Sequence, residues 1–422
     1  MVTEGQPPVA PGPDGLGGDC LGELLDATLG SAPHELPDLV RDHARSLGAL
    51  SACVYLVGLQ AQDLNRFGPG EGEDPDSLPV DATLAGMCFR RSQVYDAHRD
   101  DGLEDVWVPL LDGADRLGVL HLVVPPAVLG AGGEAWLRLA RRFGTLVAAL
   151  VVTKSAYGDA VVATRRRHEP SLAAEVQWGI LPPLTFVSDR VNVAGALEPA
   201  YEVAGDSLDY AVGPGRTQLA AFDAVGHGLA SARISVMAVF AYRHARRCGL
   251  DLEATARRID EVVRDTCGPE AFSTAVLAEL DTDQGRLRWV NAGHPEPLLV
   301  RQGRFVGTLA VSPWRPLGLG DDGLLPPSEL VVGEVALEPG DRVLFYTDGV
   351  VEARSADGEL FGVERLADLV TRDQDELPVA ATMRRAVGAI LGHQHGKLDD
   401  DASLLLVEWP APPAPPAPGG PA

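Results

Sequence analysis

The chain has 422 residues, 45% of them apolar, with 60 acidic against 35 basic side chains and a formal net charge of −25. That length points to about two or three domains with ordinary cores, and the shortage of Lys and Arg argues against a nucleic-acid partner, which is gripped through its phosphates by clustered positive charge. The five cysteines are odd in number and form no CxxC pair, which excludes a zinc knuckle and a disulfide framework. The most apolar stretch, 146–152, is far too short to span a bilayer, so the expectation is a cytoplasmic protein with no membrane partner.

Residues 1–18, rich in Pro and Gly, and 410–422, almost wholly Pro, Ala and Gly, cannot bury a core and read as tails. Residues 19–128 read as helix, helix, strand, long polar loop, helix, strand, strand. Helical spacing runs over 39–47, an apolar strand over 52–59 and a Gly/Glu/Asp/Pro loop over 68–76; strands at 106–111 and 117–124 are joined by a turn at Asp112 to Asp115. This order, with LAGMCFRRSQVY at 84–95, VWVPLLDG at 106–113 and RLGVLHLVVP at 116–125, resembles an α/β GAF domain. The resemblance implies a sensor with a small-molecule ligand; a purely structural α/β module that dimerises stays open beside it.

Residues 129–185 read as a helical linker. A pattern over 134–168 sets Leu137, Ala140, Phe143, Val147 and Val151 on one face, and Ser171 caps a second helix that reaches Ile180 and stops at Pro182 and Pro183. Such a stripe needs a partner surface, which a parallel homodimer seam or either flanking domain would supply equally well.

From 186 to 409 short β-branched strands alternate with turns, and two helices intervene at about 230–247 and 252–267, so the fold class is α+β. Aspartates recur at the ends of apolar runs beside small residues: Asp206, Asp223, Asp348 and Asp400. Strand ends are rigid and glycine permits close approach, so four carboxylates can converge there. Their mutual repulsion calls for cations, and ligation by oxygen alone selects Mg²⁺ or Mn²⁺ over zinc. A single Asp-Gly is ordinarily a turn, so the reading rests on all four in order. Three consecutive aspartates, Asp399, Asp400 and Asp401, leave the last ligand open by one position.

Eight blocks in sequence order closely resemble the bacterial PP2C-like phosphatases of the stage-II-sporulation-E and sigma-regulator type. They are GILPP at 179–183, EPAYEVAGD at 198–206, DAVGHG at 223–228, FSTAVLAELD at 272–281, VNAGHPEPLLV at 290–300, PLGLG at 316–320, FYTDGVVEARSADGELFG at 345–362 and DDASLLLV at 400–407. The resemblance implies a layered β-sandwich flanked by helices and metal-dependent hydrolysis of phosphoserine or phosphothreonine in a protein, a STAS-type anti-sigma-factor antagonist. It implies that Asp223 bridges two divalent cations, that the Ala224 carbonyl adds a ligand, and that Asp206, Asp348 and Asp400 complete the set, DDAS favouring Asp400 in the open register. Catalytic weight falls on Asp223 and Asp348.

Departures are visible. Ala204, Gly205, Asp206 and Ser207 stand where the family usually has Gly-Gly-Asp and an aromatic, and Val225 stands where the animal and plant relatives have a His. His227 and His294 are therefore read as structural rather than proton-transferring, Glu352 as a solvated helix residue, and Arg233 and Arg315 only as arginines near motif blocks. Two other function classes stay in view, a signalling scaffold without turnover and a small-molecule receptor centred on the GAF-like domain; loss of metal acids would mark the first, and none is lost.

Overall fold

Contacts within the chain divide it after His168 into two units, each described by itself. The structure is a computed structural model that describes residues 13–69, 75–130, 132–198, 205–320, 329–372, 374, 377–394, 398 and 400–411, with side chains from Cys20 onward. Most of both expected tails, the block from Pro199 to Ala204, and Asp399 lie outside the described residues. Among the described residues no helix is long and apolar enough to cross a membrane.

The first unit runs α1 (Pro13–Leu29), α2 (Leu36–Ala44), β1 (Ser51–Val57), β2 (Asp63–Phe67), β3 (Ser77–Pro79), α3 (Leu84–Arg91), β4 (Tyr95–His98), β5 (Glu104–Asp112), β6 (Asp115–Val124), α4 (Gly133–Ser155) and α5 (Ala160–Arg165). Its strands form one antiparallel sheet in the order β3-β2-β1-β6-β5-β4. Leu56, Val108 and Leu120 pack on one face beneath α1, α2 and α4, while Tyr55 and Val119 pack on the other beneath α3. Cover on both faces explains why β6 is buried along most of its length instead of alternating.

The expected polar loop is flanked by two strands that the reading missed, β2 and β3, which are short and carry polar residues. The helix-like stretch 84–95 is helical only as far as Arg91, because Ser92 turns to a left-handed φ of 54° and closes α3 there. The helix expected over 134–168 also breaks, into α4 and α5. Ala140, Phe143, Val147 and Val151 are buried within this unit, and Leu137 packs against them. The stripe is thus filled by the unit's own sheet and helices. It is not free for a dimer seam, and the front of the expected linker is core.

The second unit begins with α6 (Leu172–Ile180), whose expected cap is present: Ser171 Oγ accepts the Ala174 N–H at 3.1 Å. There follow β7 (Thr185–Val187), β8 (Asn192–Glu198), β9 (Asp206–Gly213), β10 (Arg216–Ala224), α7 (Gly228–Arg247), α8 (Leu252–Cys267), β11 (Ser273–Asp281), β12 (Arg286–Ala292), β13 (Leu298–Arg301), β14 (Arg304–Thr308), β15 (Gly333–Ala336), β16 (Arg342–Tyr346), α9 (Asp348–Val351), α10 (Val363–Thr371), α11 (Val379–His393) and β17 (Ala402–Glu408).

Two antiparallel sheets, β15-β12-β11-β10-β9 and β14-β13-β16-β17-β8-β7, face each other. Leu219, Ala221, Val276, Phe345 and Leu405 fill the space between them. Alternate residues of the same strands point outward: Phe222 and Leu277 pack under α7 and α8, and Leu344 and Leu404 under α10 and α11. The second unit is the expected layered sandwich with helices outside each sheet.

Candidate metal and active site

Four chain segments bring acids to one end of this sandwich. β9 begins at Asp206 and β10 ends at Ala224, and their antiparallel register sets Asp206 directly opposite Asp223. From the other sheet, β16 ends just before Thr347 and Asp348, and Asp400 and Asp401 lead into β17, which pairs with β16.

Polar ties hold the segments in place. The buried Thr347 hydroxyl donates to Asp206 Oδ2 at 2.6 Å and accepts the Ser403 N–H at 2.9 Å. Asp401 Oδ2 accepts the backbone N–H of Gly205 at 2.7 Å and of Asp206 at 3.3 Å, so one carboxylate ties the two sheets together. From α6, the buried Gln177 Nε2 donates to the Asp206 carbonyl at 2.6 Å. Asp209, further along β9 and buried, is gripped by Arg243 and Arg246 of α7 at 2.8 and 3.0 Å. Glycine is required at one junction: a Cβ on Gly349 would lie 1.9 Å from the Asp401 carbonyl oxygen.

The acids feel one another. Burial, then the charges of Asp223 and Asp401, hold the Asp206 carboxyl well above its usual range. Burial, then Asp348, Asp400 and Asp401, push Asp223 up to about 7. Asp348 is raised by burial and then by Asp400 and Glu352. Asp401 is pushed up to about 6 by burial, against the pull of the Gly205 and Asp206 N–H groups. Concentrated, mutually raised carboxylates are what a polyvalent cation relieves.

Whether the residues fit such a cation rests on three observations. The charged donors are carboxylate oxygens alone, a hard-cation set. Asp401 Oδ1 is buried with no hydrogen-bond partner. Gly205 keeps a cradle open, since a Cβ there would stand 3.0 Å from the Ala224 carbonyl oxygen, 3.3 Å from Ser231 Oγ and 3.5 Å from Asp401 Oδ2. The residues fit, although among the described residues no three Asp, Glu, His or Cys side chains already close around a single point.

All the sequence-derived acids are therefore neighbours: Asp206, Asp223, Asp348 and Asp400. In the open register, Asp400 is exposed and accepts the Asp401 N–H at 2.9 Å, whereas Asp401 is buried in backbone hydrogen bonds. His294 is buried, bonds Thr274 Oγ1 through Nδ1 at 2.8 Å, and is pushed by burial down to about 3, hence neutral. Asn291 clasps the backbone of the same residue twice at 2.8 Å. His227 stands exposed at the start of α7, and Glu352 is exposed. Arg233 donates to the Cys267 carbonyl at 3.0 Å, and Arg315 lies over Trp314 and 3.6 Å from Asp260.

Thr347 and Gln177 were missed as contributors to the site, and Asp401, weighed only as an alternative in the register of the last ligand, is a backbone acceptor. The signals were faint: a hydroxyl closing the apolar run VLFY and one amide on the buried face of a short helix.

Residues 213–410 match the family model of stage II sporulation protein E (SpoIIE). The second unit carries a SpoIIE domain. The chain is 27% identical over 248 residues to the phosphoserine phosphatase RsbP of Bacillus subtilis, covering 57% of this chain and 58% of that one. It is 22% identical over 243 residues to the phosphoserine phosphatase RsbU of the same organism, covering 57% and 70%. Among solved structures it is similar to the SiaA PP2C domain of Pseudomonas aeruginosa, at 21% identity and a TM-score of 0.46, covering 56% of this chain and 94% of that one. The chain thus spans 58% of the length of RsbP, and the matched model falls in the second unit alone.

Proposed function

We propose that the SpoIIE domain is a cation-dependent phosphatase for phosphoserine or phosphothreonine in a protein. In this reading Asp206, Asp223, the Ala224 carbonyl, Asp348 and Asp400 hold two divalent cations, Mn²⁺ or Mg²⁺. The observation that carries it is the convergence of acids from β9, β10, the β16–α9 junction and the approach to β17 around the Gly205 cradle. Bound cations would supply Lewis-acid charge for the phosphoryl oxygens and acidify the attacking water.

The chain's own residues do the placing. Asp223 feels Asp348, Asp400 and Asp401 together, which suits it to the shared position. Asp401 fixes the Gly205–Asp206 backbone. His294, neutral and engaged with Thr274, steadies the turn after β12. A covalent phospho-enzyme is not needed.

The substrate in this reading is a phosphorylated STAS-type anti-sigma-factor antagonist, a proposal supported by the similarity to RsbP and RsbU. The first unit would act as a GAF-like sensor with a small-molecule ligand that alters turnover, the difference passing through residues 134–182 because the two states must bind the ligand unequally. The deciding experiment is hydrolysis of an aryl phosphate and of a phosphorylated STAS protein by the full chain, with and without Mn²⁺. Turnover that requires the cation supports the reading; silence in both shifts it to a scaffold that binds without turnover.

A further inference from the structure

We propose that Thr347 is a positioning residue, whose hydroxyl sets the Asp206 carboxylate for cation binding and couples it to two further acid-bearing segments, that of Asp348 and that of Asp400 and Asp401. The inference rests on the cation-site reading above and goes beyond it in naming a residue that would touch neither cation nor substrate.

Thr347 is fully buried. Its Oγ1 lies 2.9 Å from the Ser403 nitrogen, a group that can only donate, so the hydroxyl must accept there. The single hydroxyl proton is then left for Asp206 Oδ2 at 2.6 Å, within the range of a charge-assisted O–H···O⁻ bond. With Asp206 ionised, as it must be to hold a cation, neither bond can reverse, and the direction runs from Ser403 through Thr347 to Asp206.

The backbone reinforces this direction. The Thr347 N–H donates to the Ser403 carbonyl at 3.1 Å, so residue 347 is clamped to the start of β17 at two points. A β-branched side chain has few χ1 choices, and a clamped backbone removes more of them. Thr347 immediately precedes Asp348, the first residue of α9, and Ser403 follows Asp400 and Asp401 by two to three residues. One hydroxyl therefore relates three acid-bearing segments, and rotation of the Asp206 carboxylate would break the bond that links them. Outer partners of metal-ligating side chains act in this way by fixing ligand orientation before the cation arrives.

The test uses the full chain and Mn²⁺ as the probe. Mn²⁺ binding is measured by titration calorimetry on wild type, Thr347→Val and Thr347→Ser, with melting in chelator as the check on folding. Valine keeps the shape and loses the hydroxyl; serine keeps the hydroxyl and loses a methyl. The expected result is a Mn²⁺ dissociation constant raised about 10- to 100-fold in the valine variant, the usual effect of removing such a partner, with most of the affinity retained in the serine variant.

A packing role would give the opposite ranking, serine worse than valine, and that ranking or wild-type affinity in the valine variant overturns the proposal. Should the valine variant not fold, Thr347→Ala is read in its place, and wild-type Mn²⁺ affinity in that variant overturns the proposal. A wild-type chain that takes up no Mn²⁺ would instead overturn the cation-site reading, so the two failures are told apart.

Discussion

Asp206 and Asp223 are direct partners across the β9–β10 ladder. Like charges opposite each other in a sheet are destabilising, and each of these carboxyls is raised by its surroundings. A bound cation would offset the cost of such a pair.

Asp223→Asn removes the carboxylate that feels Asp348, Asp400 and Asp401 together and leaves the packing of β10 unchanged. Turnover of an aryl phosphate at saturating Mn²⁺ is expected to fall by more than about a hundredfold, since loss of an outer partner alone costs about 10- to 100-fold. Melting of the chelated variant should match or exceed wild type, because a buried repulsion has been removed. Near-normal turnover would end the shared-ligand role.

Asp400 and Asp401 should separate cleanly. Asp400→Asn is expected to abolish activity with little change in stability, because the side chain is exposed. Asp401→Asn keeps an acceptor for the Gly205 and Asp206 N–H groups and should fold well, whereas Asp401→Ala orphans both, at about 1–3 kcal/mol for each buried group. Denaturant melts of the variants measure this ranking.

Gly349→Ala places a Cβ 1.9 Å from the Asp401 carbonyl oxygen, and backbone cannot yield as a flexible side chain would. A loss of at least about 1–3 kcal/mol is expected, the range for overpacking, together with lost Mn²⁺ affinity because the Asp348 and Asp400 segments are forced apart. Calorimetric titration that finds wild-type affinity would contradict the close packing.

His294 gives a pH dependence. Its imidazole ordinarily titrates near 6.5 and burial pushes it down to about 3. Between those values the unfolded chain binds more protons than the folded one, so this group's contribution is present above about 6.5 and is lost as pH falls towards 3. Several kcal/mol are at stake, at about 1.4 kcal/mol per unit. His294→Gln should flatten the acid limb of the melting-temperature profile, and a limb as steep as wild type would show that another group causes it.

Phe143 and Val147 lie in the core of the first unit, so polar substitution there should unfold that unit. For Phe143→Asn a loss on the order of 3–5 kcal/mol is expected, as for removal of a buried aromatic. A separate low-temperature transition in calorimetry would report it; an unchanged melt would mean the stripe is not core after all.

The sequence by itself determined the second unit's chemistry to a large extent. Each acid sits next to a small residue or a turn at the end of an apolar run, and that local pattern fixes a carboxylate to a strand end wherever the strand goes. The two helices expected at about 230–247 and 252–267 were legible as well, and they stand at Gly228–Arg247 and Leu252–Cys267. Tertiary structure alone decided which surface the stripe from Leu137 to Val151 would meet, because helical spacing states that a face is apolar and not what covers it. It alone separated Asp400 from Asp401, whose roles differ through backbone groups of Gly205 and Asp206 nearly 200 residues away. Thr347 and Gln177 belong with these. A hydroxyl or amide bonds one partner at one distance, and no composition or periodicity records which partner folding will bring.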